Sequence, residues 1–239
     1  ALMIRWTQLS IFKPHLRYHG CCPFREPWQF SEEAQTILRE YLNYRYRLIP
    51  YLYSESIDCV ASGLPLLRPL VLDYQQDPTV HAIDDQFMSG RSILVAPVMR
   101  EDSRRTFYLP EGVWYDFFNK EASTGRQWIT QDCPLNRIPI WLKGGSVIPL
   151  GPVVQSTDEL SDETPLEWII LLDQSNNAAG NFHLNRKRSY TITAHSNGSQ
   201  VIVTLGKDLP VEKVRVFGRS GEFTGEDIVL EVGSRGQSR

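Results

Sequence analysis

Between Pro14 and Trp28 the chain carries two histidines (His15, His19), two arginines (Arg17, Arg25), adjacent Cys21 and Cys22, and Glu26. Residue types of this kind support three chemistries. A neutral imidazole offers one donor and one acceptor to a polar ligand, guanidinium groups pair with carboxylates, and imidazole with thiolate can hold a metal. Pro14 and Pro23 rule out a helix across the span, because proline lacks a donor and drives the preceding residue towards extended geometry. His19 followed by Gly20 therefore reads as the end of a strand opening into a loop. Arg17, Arg25 and Glu26 read as ion pairs that pin the loop. A metal site built from His15, His19, Cys21 and Cys22 is the weaker assignment, since zinc ligands usually come as two separated pairs, and no metal or cofactor is expected. Judged by residue type alone, His19 is a structural histidine.

The elements that must position this loop are helical on both sides. Leu2, Ile4, Trp6, Leu9 and Phe12 are loosely periodic, whereas Ala34, Ile37, Leu38, Tyr41, Leu42, Leu48, Ile49 and Leu52 recur at three and four residues, the pattern of a helix burying one face. Ser31 is the expected N-cap, with Glu32 and Glu33 suited to the positive end of the helix dipole. Pro50 predicts a bend, or two helices meeting near Arg47 to Pro50, and Gly63 a stop. The tyrosines between Tyr41 and Tyr53 read as a packed helix face, not as a sugar platform.

After Gly63 the helical period disappears. Short apolar runs predict strands at Leu66–Leu72, Ser92–Pro97, Thr106–Leu109, Val113–Phe118 and Ile138–Leu142, then Val147 with Ile148, and a hairpin turn at Pro110-Glu111-Gly112. A polar stretch from Pro152 to Thr164 reads as a linker. Beyond it come Leu166–Leu172, Gly180–Leu184, Tyr190–His195, Val201–Leu205, Val211–Phe217 and Ile228–Val232, with a hairpin signal at Asn197-Gly198. Asn197-Gly198-Ser199 also fits a glycosylation acceptor. Asp84 and Asp85 are neighbours that an extended chain points to opposite faces, so they cannot flank one bond.

With 239 residues and 41% hydrophobic content the chain can bury a substantial core. A net charge of -3 creates no field to gather a polyanion, so neither nucleic acid nor an anionic membrane is an expected partner, and no apolar run reaches the roughly 18 residues of a spanning helix. Cys21, Cys22, Cys59 and Cys133 show no spacing typical of a zinc ribbon or disulfide scaffold. The chain begins within an amphipathic pattern and without methionine, which reads as a piece of a longer protein. Helix, loop and helix look like the last unit of an α/β body, followed by two small β-sandwiches.

A series of motifs in order resembles the downstream part of glycoside hydrolase family 31, which holds α-glucosidases and α-xylosidases. They are Arg5-Trp6, Leu16-Arg17-Tyr18-His19-Gly20, Arg25-Glu26-Pro27-Trp28, Arg45 through Tyr53 (Arg-Tyr-Arg-Leu-Ile-Pro-Tyr-Leu-Tyr) and Arg68-Pro69-Leu70. The series continues through Asp77-Pro78, Asp85 to Gly90, Leu94 to Val98, Tyr108 to Trp114 and Gly144 to Pro149. It covers residues 1 to about 150. The rest is similar to the family only in strand pattern, and an acidic, glycine-containing motif often found there is absent.

The resemblance implies an α/β fragment, the end of a (β/α)8 barrel (residues 1–63), followed by two all-β sandwich domains, proximal (64–151) and distal (152–239). A complete barrel takes roughly 250 residues. It also implies a retaining α-glycosidase that removes α-linked glucose or xylose from non-reducing ends of an oligosaccharide or glycoside. Retention uses two carboxyl groups about 5 Å apart. In the family both are aspartates upstream of the matched motifs, so no catalytic residue is expected in this chain, and the remainder of the barrel is an expected partner. One substrate-binding residue carries over: His19 matches the histidine ending the last barrel strand, which hydrogen-bonds the sugar in the cleaved subsite. Two other readings are a carbohydrate-binding module displaying Trp114, Tyr115, Trp128, Trp141 or Trp168, although these aromatics read more readily as core residues, and one subunit of a processed heterodimeric glycosidase.

Overall fold

The computed structural model describes residues 1–21 and 24–233. Its helical part comprises α1 (Leu2–Ser10), α2 (Glu32–Arg47) and α3 (Ile49–Ser62). Ser31 caps α2, its hydroxyl accepting from the Ala34 amide, and Glu32 and Glu33 occupy the first turn. The α2–α3 break falls at Leu48 because Pro50, in the first turn of α3, has no amide to donate to the Tyr46 carbonyl. Gly151 uses the break: its amide donates to the Arg47 carbonyl at 2.8 Å, and with no side chain it lets the Pro50 ring lie close by. Gly63 ends α3 in the left-handed conformation at φ 76°, where glycine carries no Cβ penalty.

The first β unit contains β1 (Leu67–Pro69), a single turn α4 (Leu70–Asp73), β2 (Phe87–Ser89), β3 (Ile93–Val95), β4 (Arg104–Leu109), β5 (Val113–Asp116), β6 (Ala122–Thr124), β7 (Gln127–Asp132) and β8 (Ile140–Lys143). A six-stranded sheet in the order β1-β2-β3-β8-β5-β6 lies over the two-stranded sheet β4-β7. The expected hairpin at Pro110-Glu111-Gly112 does not form. β4 pairs with β7, and β5 with β6 and β8, so the chain crosses here from one layer to the other. The crossing is held by Trp114 Nε1 donating to the Pro110 carbonyl at 2.8 Å, and Phe107 and Leu109 of β4 lie in the core beneath Trp114. The run Leu66–Leu72 is likewise shorter as a strand than its apolarity suggests. Pro69 ends the edge strand and the chain turns helical at Leu70, which buries its side chain completely.

The second β unit contains β9 (Ser146–Leu150), β10 (Leu166–Leu171), β11 (Asn177–Asn185), β12 (Arg188–Ser196), β13 (Val201–Gly206), β14 (Val211–Gly218), β15 (Gly221–Phe223) and β16 (Ile228–Gly233). Sheet β15-β14-β10-β9 faces sheet β11-β12-β13-β16 across a core centred on Trp168, Ile170, Phe182, Tyr190, Ile192 and Val203. Asn197-Gly198 turns β12 into β13 as expected, with the Asn197 amide donating to the Gln200 carbonyl.

Alternation along the central strands explains why they read as unbroken apolar runs. Leu94, Trp141 and Trp114 point into the first sandwich, while Ile93, Val95, Tyr115, Ile140 and Leu142 point the other way, against the helices. β10 does the same, sending Trp168 and Ile170 into its sandwich and Ile169 and Leu171 to the helical side. Strands covered on both faces lose the polar alternation of a solvated sheet. One hydrophobic cluster thus runs from Ile4, Leu38 and Tyr41 through both inner sheets.

Polar contacts reinforce the same junction. Glu55 and Asp58 of α3 receive Arg91, Asp58 Oδ1 also meets His183 Nε2 of β11 at 2.8 Å, and the His183 amide donates to Ser54 Oγ. Nearer the α2–α3 break, Arg47 pairs with Glu167, which faces Arg215 at 3.7 Å. Lys120, in the β5–β6 turn, donates to the Phe117 carbonyl, and its pKa is pushed down to about 8, first by burial and then by the neighbouring Arg215 charge. Below pH 8 the buried ammonium therefore costs folding free energy. Between pH 8 and the ordinary value of 10.5 the unfolded chain holds more protons than the folded one, so this cost is relieved as pH rises. Lys120→Met is expected to raise stability by about 1–2 kcal/mol at pH 7, the desolvation gain outweighing one lost hydrogen bond. Urea midpoints should show the gain gone at pH 10.5, and equal gains at both pH values would sink this account.

Candidate functional site

The loop carrying His19 leaves α1 through residues 11–14 and continues over 15–20 without regular secondary structure, so the strand end expected at His19 is not part of a sheet among the described residues. Side chains alternate along it. His15, Arg17 and His19 are exposed, while Leu16 and Tyr18 are half-buried, so His19 lies on the face turned away from the helices. Tyr18 anchors the inner face by a 3.0 Å hydrogen bond with Thr7 Oγ1. Because the Thr7 hydroxyl donates to the Met3 carbonyl, Tyr18 is the donor in that pair.

The start of the loop is held by Arg45, the first residue of the Arg45-to-Tyr53 motif, to which the sequence assigned no role. Arg45 of α2 donates from Nη1 to the carbonyls of Ile11 (2.8 Å) and Lys13 (2.5 Å), and from Nη2 to that of Pro14 (2.9 Å). Ser89 Oγ, fully buried, donates to the Phe12 carbonyl at 2.7 Å. All four carbonyls from Ile11 to Pro14 are thus engaged by side chains from α2 and β2. The guanidinium fork faces the carbonyl end of α1, where the helix dipole favours positive charge, and burial lowers its pKa. Nothing in the sequence marks which carbonyls a distant arginine will reach.

The far side of the loop is held differently from expectation. Among the described residues no ion pair joins Arg17, Arg25 and Glu26; instead the Arg25 side chain lies across Gly20, within 2.1 Å of where a Cβ would sit, so glycine is what lets the loop close there. Glutamine does the pinning further on. Gln35 Nε2 donates to the Phe30 carbonyl at 2.8 Å, behind the short 3-10 turn Pro27–Gln29. The alternative metal set is not described in full, because Cys22 lies outside the described residues; among those described, no group of three or more His, Cys, Asp or Glu could hold a metal ion. Asp85 is engaged by Arg105 at 2.7 Å. The packed helix face expected of Tyr41 to Tyr53 holds only in part: Tyr41 and Tyr51 are buried in the helix–sheet core, Tyr44 and Tyr46 are half-buried and Tyr53 is exposed. Of the candidate platform aromatics, Trp114, Tyr115, Trp141 and Trp168 are buried, and Trp128 alone is exposed.

Large apolar side chains are exposed on the elements that flank the loop. Leu2 and Trp6 of α1, with Phe24 and Trp28 beyond His19, are 53–80% exposed. Large side chains left open in this number mark a surface built to be covered. The geometry is therefore an exposed imidazole that makes no hydrogen bond among the described residues, on a clamped segment near exposed Leu2, Trp6, Phe24 and Trp28.

Residues 1–55 match the Glycosyl hydrolases family 31 TIM-barrel domain, and residues 63–148 match the Glycosyl hydrolase family 31 C-terminal domain. This chain belongs to glycoside hydrolase family 31. Its likeness to other family 31 proteins runs through sequence and fold together. It is 37% identical over 165 residues to alpha-glucosidase 2 of Bacillus thermoamyloliquefaciens, covering 68% of this chain and 21% of that protein. It is 37% identical to an alpha-xylosidase of Saccharolobus solfataricus, over 67% of this chain and 22% of the relative. The structure of a family 31 dextranase of Flavobacterium johnsoniae complexed with glucose superposes with a TM-score of 0.83 at 32% identity, over 90% of this chain and 29% of that one. The chain thus spans about a fifth to a quarter of the curated relatives it matches. The family 31 assignment carries the fold expectation with it: the end of a (β/α)8 barrel followed by two β-sandwiches. Among the described residues no helix is long and apolar enough to cross a membrane.

Proposed function

We propose that this chain is the C-terminal part of a retaining α-glycosidase that releases α-linked glucose or xylose from non-reducing ends. Residues 1–63 close the catalytic barrel, and the nucleophile and acid/base aspartates belong to barrel strands outside this chain. His19 binds hydroxyls of the sugar being cleaved. The observation that carries this reading is the placement of His19: an exposed imidazole at the end of a segment whose backbone is clamped from behind by Arg45 and Ser89. Barrel enzymes place their sites at the carboxyl ends of strands, and an imidazole supplies one donor and one acceptor to a pair of hydroxyls. The rim of Leu2, Trp6, Phe24 and Trp28 is then the surface against which the rest of the barrel packs.

The 239-residue chain alone is expected to show no turnover of nitrophenyl α-glucoside or α-xyloside, because hydrolysis with retention needs both carboxyl groups. Release of nitrophenol by the pure chain, abolished by an aspartate-to-asparagine change within it, would overturn the reading.

A further inference from the structure

A cavity of about 270 Å³ lies where α2, the β5–β6 turn, β9, β10 and β14 meet, far along the chain from the His19 loop. Its walls are largely apolar, with Leu48, Leu142, Ile148, Ile169, Phe117 and Phe118 lining it. Four cations, Arg47, Lys120, Arg137 and Arg215, share these walls with one carboxylate, Glu167.

Three of the cations have a carboxylate partner, though Arg137 uses only Nη1 for it, meeting Glu40 and the Asn136 carbonyl. Arg47 is paired with Glu167, Arg137 with Glu40 at 3.2 Å, and Arg215 with Glu222 at 2.6 Å. Lys120 has none: among the described residues no carboxylate lies within ion-pair distance of its ammonium, which meets the Phe117 carbonyl and ring instead. Asp116, four residues earlier on β5, spends Oδ1 on the Phe118 and Asn119 amides, and with Glu167 it offsets the positive field at Lys120 only in part. An excess positive charge in a partly enclosed, apolar-walled space raises the local concentration of anions, and the low-dielectric walls strengthen the attraction. Burial is the main cause of the lowered Lys120 pKa, with the Arg215 charge adding to it and Asp116 and Glu167 opposing it, and a charge held in place at a cost to stability is consistent with a functional role.

We propose that this cavity is a binding site for a small organic anion, a carboxylate or phosphate-type oxyanion on an apolar body, with Lys120 and Arg137 taking the oxyanion and Phe117, Phe118 and Ile148 the body. At about 30 Å³ per water the space holds roughly nine waters, the size of a molecule of about ten heavy atoms. The proposal is independent of the glycosidase reading, since none of these residues belongs to the His19 loop.

The test is calorimetry on the 239-residue chain at pH 7 and low salt, with benzoate, phenylphosphonate, inorganic phosphate, benzyl alcohol and glucose as probes. Benzoate or phenylphosphonate is expected to bind at least 10-fold more tightly than benzyl alcohol, which lacks the charge, and than inorganic phosphate, which lacks the body. Lys120→Met should weaken the anion at least 10-fold, Lys120→Arg should hold it within about 3-fold, and Arg137→Met, on another element, should also weaken it. The proposal fails if Lys120→Met binds benzoate as wild type does, if benzyl alcohol matches benzoate, if glucose binds as well as either anion, or if no anion binds.

Discussion

Replacing His19 by alanine in the full-length enzyme is expected to lower kcat/KM by about 10- to 150-fold while leaving folding stability within about 0.5 kcal/mol of wild type. The first figure follows from a sugar hydroxyl, desolvated in the closed site, losing its partner at a cost of about 1.5–3 kcal/mol. The second follows from the structure. His19 is exposed, and among the described residues it makes no hydrogen bond or ion pair that its loss would break. The two readouts together discriminate, because a structural histidine would move stability and leave the rate alone. His19→Gln retains one donor and one acceptor on a flexible stem and should recover part of the rate. Unchanged kinetics in the alanine variant, at wild-type stability, would remove His19 from the sugar site.

Arg45→Met is expected to be the most destabilising single change near the site, at about 2–4 kcal/mol. The methionine keeps much of the apolar stem but withdraws three charge-assisted donors at once from the carbonyls of Ile11, Lys13 and Pro14. Only partial compensation is available. Water can reach the Pro14 carbonyl, whose bond is exposed, whereas those to Ile11 and Lys13 are part-buried. Arg45→Lys should restore less than half of the loss, since an ammonium is a point charge and cannot span three carbonyls as a planar fork does. The measurement is the urea midpoint at constant m-value. A midpoint for Arg45→Met within error of wild type would show that the loop does not depend on the clamp. In the full-length enzyme the same variant should lower kcat/KM through displacement of His19, a positioning effect that Arg45→Lys relieves in part.

How much could be read in advance differed by element. The helices were legible because their signals are local. Ser31, the Glu32-Glu33 pair, Pro50 and Gly63 each act within one turn, and the three-and-four spacing between them reports a single buried face. The apolar strands were legible for a similar reason, but their partners were not. Thr106–Leu109 and Val113–Phe118 flank a turn that looks like a hairpin, and only the need to cover both faces of the six-stranded sheet sends β4 into a different layer from β5. Strands β2, β6, β7 and β15 carried no strong pattern because they are short or largely exposed, and pairing with a neighbour supplies what propensity did not.

Sequence alone established the family, through motifs strung in order from Arg5 to Pro149, and with it the fold class and His19 as the candidate sugar ligand. Those are properties of residue identity and of short-range order along the chain. Tertiary structure alone decided what holds the His19 loop, which sheet each strand enters, and that Lys120 stands in a cationic cavity without a carboxylate of its own. Such facts join residues far apart in the chain, Arg45 to Lys13, Ser89 to Phe12, Arg47 to Glu167. No local pattern records them, because a hydrogen bond or an unbalanced charge depends on where the backbone brings two groups, and that is settled only when the whole core has packed.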